Sequence, residues 1–115
     1  MDGRVTYKVD SIWSTADARR RALEILRRYA GDGSESGQTR IRLAMLKLAA
    51  GSLDKLEELL EDAQRDFRDV VAAAEYPEAL RSKHLRGPHL SPEEQREREA
   101  IRQRDRRQYE RWLNE

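Results

Sequence analysis

"LEELLEDAQRDFRDVVAAAEYP", residues 56–77, carries the longest regular pattern in the chain, and its reading decides the fold. Leu56, Leu60, Ala63, Phe67, Val70 and Ala74 alternate steps of four and three residues, and Leu53 extends the series backwards. That spacing returns to one side of a helix at every turn, giving the heptad seam of a helix that packs lengthwise on another. Leu59 and Val71 widen the stripe, while Glu57, Glu58, Glu61, Asp62, Arg65, Asp66, Arg68 and Asp69 take the opposite face. Pro77 disfavours helical geometry at Tyr76, so the predicted helix covers residues 53–76, about 24 residues or ~36 Å.

On its N-terminal side, residues 38–50 predict a second helix. Ile41, Leu43, Ala44, Met45, Leu46, Leu48 and Ala49 leave narrow polar lines at Arg40, Arg42 and Lys47. A helix apolar on most sides is covered on most sides, so this one is read as the central element. Gly51 takes the left-handed conformation that ends it, and Ser52 caps the next helix at once. Further back, "GDGSESG" (residues 31–37) reads as a flexible connection. A first helix is expected over residues 14–29, capped by Ser14, with Ile12, Ala16, Leu23, Leu26 and Ala30 on one stripe. In "RVTYKV", Val5, Tyr7 and Val9 alternate with polar residues, which is strand periodicity. With no partner strand in the chain, residues 1–12 are expected as an extended arm.

Beyond the seam, residues 77–92 hold all three prolines and both histidines and read as a surface turn, with residues 81–92 as a linker. Ser91 at the cap, Pro92 in the first turn and Glu93 and Glu94 behind it start a charged C-terminal helix, residues 93–115. Its middle, residues 102–108, has no apolar residue, so it is expected to pack only through its end, at Tyr109, Trp112 and Leu113. The expected fold is all-α: a small three-helix bundle within residues 1–80, carrying the arm and the long heptad-patterned third helix, and a partly projecting fourth helix.

Composition narrows the chemistry. Charged residues make up 39% of the 115 and aromatics 6%, so much of the chain faces water, yet 37% hydrophobic residues suffice for a helical core. There is no cysteine, which excludes disulfides, thiolate nucleophiles and cysteine-ligated metals. No apolar run nears the ~20 residues of a membrane span, and the N-terminal residues lack a secretory core, so a cytoplasmic address is the expectation. Asp62, Asp66, Asp69 and Glu75 offer carboxylates at helical spacing, but without a Glu-x-x-His they read as a solvated face. His84 and His89 read as surface loop histidines. Neither a nucleophile elbow nor a phosphate-binding glycine loop is present. The expectation is therefore no enzyme, no cofactor and no metal.

Two arginine clusters remain. Arg19, Arg20, Arg27 and Arg28 lie on the first helix, and Arg106 and Arg107 on the last, near Tyr109 and Trp112. Arginine beside aromatics can hold phosphates and stack on bases. However, residues 1–30 carry seven basic and four acidic groups, and residues 52–80 three basic and nine acidic. A basic helix pairing with an acidic one is the simpler account. The function expected is a helical protein–protein interaction or oligomerisation module, a homodimer, with Tyr109, Trp112 and Leu113 as interaction residues. The alternative is a nucleic-acid-associated protein that uses the six arginines.

Overall fold

The computed structural model describes residues 1–31 and 33–115; Asp32, within the connection predicted for residues 31–37, lies outside the described residues. The described residues form six α-helices and one 3-10 turn: α1 (Gly3–Ile12), α2 (Ala16–Arg27), α3 (Glu35–Ala49), α4 (Leu53–Glu75), α5 (Pro77–Arg81), the 3-10 turn Lys83–Leu85 and α6 (Pro92–Asn114). They gather into two compact units, Met1–Val71 and Ala72–Glu115. The division falls inside α4, whereas the sequence suggested one at residues 80–81.

In the first unit the predicted arm is a helix. Asp2 caps it by accepting the Arg4 N–H at 2.8 Å, and Val5, Lys8 and Val9 are buried while Tyr7 is exposed. Val5 and Val9 satisfy a period of two and a period of four equally, and burial of residue 8 beside them is helical geometry. The unit therefore rests on four helices instead of three, with α1 packed on α2 and α3. The next helix starts one residue later than expected, because Thr15 supplies the cap, accepting the Ala18 N–H at 3.2 Å. Of the apolar residues expected to cover α3, Ile41, Leu43, Ala44, Met45, Leu46 and Ala49 are buried and Leu48 is half-buried.

Polar groups lock the corners of this unit. Arg42 on α3 donates to the carbonyls of Leu26 and Tyr29, both at 3.0 Å, and so satisfies the frayed end of α2. The Trp13 indole N–H reaches the Gly51 carbonyl at 3.1 Å, tying the end of α1 to the turn after α3. That turn uses left-handed backbone at both Ala50 (φ 49°) and Gly51 (φ 85°), and Ser52 caps α4 through the Lys55 N–H.

The seam of α4 is interrupted. Asp66 has extended backbone (φ −156°, ψ 100°) inside the helix, its carboxylate accepts the Arg68 N–H at 3.1 Å, and both carboxylate oxygens take the Arg68 guanidinium. An aspartate that bonds the backbone two residues on offers an alternative to the helical ladder, and here it re-caps the chain. Leu56, Leu59, Leu60, Ala63, Val70, Val71 and Ala74 stay buried, but Phe67, expected in the core, is 46% exposed. Leu23, also expected there, is half-buried.

In the second unit, residues 77–92 are more ordered than a surface turn. Pro77 stops α4 and also opens α5, since proline fits the first helical position. The 3-10 turn then brings Leu85 into the core at 3% exposure. The fourth predicted helix, here α6, begins as expected with a full capping box: Ser91 Oγ accepts the Glu94 N–H, and Glu94 Oε1 accepts the Ser91 N–H, both at 3.1 Å. It does not pack only through its end. It lies on α5 and the 3-10 turn, with Ile101 and Asp105 buried.

Candidate interaction groove

The α4–α5 junction of the second unit is assembled by one row of α6 side chains. Tyr76, the residue before α5, makes no side-chain cap. Asp105 does it from a distance: at 2% exposure, its two oxygens accept the backbone N–H groups of Glu78 and Ala79, each at 3.1 Å. One turn away, Gln108 donates to the Ala74 carbonyl at 3.3 Å, and Arg104 grips the Glu78 carboxylate with Nε and Nη2 at 3.1 and 2.7 Å. The residues that sequence reading judged too polar to pack are the ones that hold the junction.

The Arg104 hydrogen bonds and charge hold the Glu78 carboxyl below the usual glutamate range. Because the folded value is depressed, the stabilising contact is present above the ordinary glutamate range and is lost as pH falls through the folded value. In Arg104→Met the Glu78 titration midpoint, followed by carboxyl NMR, is expected to rise toward the ordinary value. An unmoved midpoint contradicts the pairing.

Beside this junction lies an apolar groove of about 470 Å³. Leu85 and Ile101 are its buried floor, and Tyr76 (42%) and Leu80 (37%) stand exposed at its lip. The charged side chains that line it are all arginines: Arg86, Arg98 and Arg102. Among the described residues none of the three has a carboxylate partner; Arg86 donates to the Leu80 carbonyl at 3.1 Å. The groove was missed in the sequence because Leu80 and Leu85 sit in the stretch read as turn and linker. Their one signal was the recurrence of leucine every five residues, at Leu80, Leu85 and Leu90, in a largely polar segment.

Comparison with protein-family models, curated proteins and solved structures returns no match.

The predicted interaction residues are partly brought together. The Tyr109 and Trp112 rings lie 5.8 Å apart at 31°, and both residues are half-buried, as is Leu113. The predicted arginines divide. Arg28 pairs with Glu57 of the acidic helix, as the charge count suggested, and Arg20 pairs with Asp17. Arg19 donates to the carbonyls of Trp13 and Asp10 at 2.7 and 2.9 Å. Arg27, Arg106 and Arg107 are exposed, with no carboxylate partner among the described residues. His84 lies 3.7 Å from Glu97, an ion pair when the imidazole is protonated. Among the described residues, no three His, Asp or Glu side chains are placed to hold a metal ion, and no helix is long and apolar enough to cross a membrane.

Proposed function

We propose that the chain is a non-enzymatic helical interaction module that self-associates, with the groove of its second unit as the working surface. The observation that carries this reading is the groove's chemistry. A concave apolar surface with an aromatic and a leucine exposed at its lip forgoes burial free energy in water, roughly 1.5–3 kcal/mol for each large side chain fully covered. Surfaces of this kind, apolar at the centre and rimmed by arginine, are enriched at protein interfaces. Tyr109, Trp112 and Leu113 belong to the same unit and extend its apolar character without being its centre. Light scattering on the wild-type chain is expected to give about twice the 13.5 kDa chain mass. Leu80→Glu, which places a charge at the lip without touching the core, is expected to return the chain mass. A wild-type protein at chain mass up to the highest soluble concentration contradicts the reading.

The nucleic-acid alternative draws on a different feature, an open cleft of about 880 Å³ lined by Arg81, Arg104, Arg107 and Arg111. Glu78, Glu110 and Glu115 line it too, and Arg104 is committed to Glu78. If phosphates bind there, retention of labelled DNA or RNA falls steeply with salt, and Arg107→Ala flattens the slope by about one unit. No retention at low salt removes this alternative.

A further inference from the structure

We infer that α4 is a two-state element: the Asp66 side chain holds it broken with Phe67 outside, and the competing state is a continuous helix with Phe67 in the apolar seam. This device is independent of the groove and of self-association.

Nothing in the covalent chain demands the break. Residues 60–70, "LEDAQRDFRDV", contain neither proline nor glycine. Sharp interruptions of a helix arise at those residues, at a π-bulge, or where a side chain enters the backbone ladder. The last is what the structure shows. Asp66 Oδ1 accepts the Arg68 backbone N–H at 3.1 Å and Nε at 3.0 Å, and Oδ2 accepts Nη2 at 3.2 Å. The extended backbone of Asp66 (φ −156°, ψ 100°) is one that any residue adopts, so no strain is stored there. The Arg68 side chain is 78% exposed, and an ion pair in water contributes little. The hold is therefore mainly the cap on the backbone N–H, an aspartate competing with the helical ladder.

The competing state is encoded in the same segment. Of Leu60, Ala63, Phe67, Val70 and Ala74, spaced by three and four, all are buried except Phe67, at 46% exposure. A continuous helix sets residue 67 on the side of Leu60 and Ala63. It gains apolar burial of a phenyl ring and gives up the three bonds to Asp66. Each state satisfies one residue at the expense of its neighbour, which is what makes the element bistable.

The test is NMR on the full-length chain. Backbone Cα and carbonyl shifts at residue 66 distinguish extended from helical geometry. Relaxation by a soluble gadolinium chelate reports exposure of the Phe67 ring, which no other phenylalanine can mimic. The wild type is expected to show extended shifts and a relaxed ring. Asp66→Ala removes the acceptor and supplies the best helix former. It is expected to show helical shifts and a protected ring, the equilibrium moving roughly 5-fold or more, the worth of one cap. Asp66→Glu keeps the charge on a longer side chain that caps poorly, and is expected to follow Asp66→Ala. Asp66→Asn keeps the side-chain oxygen and is expected to stay broken. Extended shifts and an exposed ring in both Asp66→Ala and Asp66→Glu overturn the inference, as do helical shifts at residue 66 in the wild type.

Discussion

Asp105→Ala is expected to dismantle the α4–α5 junction, at a cost of about 2–4 kcal/mol. Two backbone donors, the N–H groups of Glu78 and Ala79, lose a carboxylate that caps them from α6. A buried donor left without a partner costs about 1–3 kcal/mol, and loss of a helix cap alone costs about 1. The site is 2% exposed, so water cannot readily take the place of the carboxylate. Asp105→Asn keeps one oxygen acceptor and should lose about half as much. Urea denaturation gives the free energies, and hydrogen exchange gives the location: the Glu78 and Ala79 amides should lose protection first. Unchanged protection at those two amides contradicts the capping role.

The other large effect belongs to the centre of the first unit. Leu46 on α3 is fully buried, and Leu46→Ala removes its methyl groups and leaves a cavity, at about 2–5 kcal/mol. In a domain whose whole stability is about 5–15 kcal/mol, that is a large fraction. Phe67→Ala, which the unbroken seam would place in the same class, is expected to cost less than ~1 kcal/mol in folding stability, since its ring is already half in water. Equal losses at the two positions, measured below the concentration at which copies associate, would restore the continuous seam and contradict the break at Asp66.

These two variants also mark the border between what was legible in the sequence and what was not. The central helix could be read because Ile41 through Ala49 are apolar around most of the circumference, a local property. The start of α6 could be read because cap, proline and acidic first turn are neighbours in sequence. Phe67 could not, because the helical period continues through a residue whose side chain competes for the backbone. Asp66 looks in sequence like any other member of the polar face. Nor could α5: its cap comes from Asp105, 27 residues beyond Glu78, so no local pattern announces it. The first helix was misread for a simpler reason. Two valines four apart fit either period, and the alternation around Tyr7 favoured the wrong one. The groove inherited these failures in part, because Leu80 and Leu85 lie in the segment read as turn and linker.

The central claim, that the groove of the second unit is covered by another copy of the chain, is tested most directly by isotope-filtered NMR on an equal mixture of labelled and unlabelled chains. Only contacts between copies appear in such a spectrum. The expected result is cross-peaks from the Leu80 and Leu85 methyls of one copy to protons of the other, lost in Leu80→Glu. A dimeric sample whose Leu80 and Leu85 methyls show no cross-peak to the other copy would contradict it.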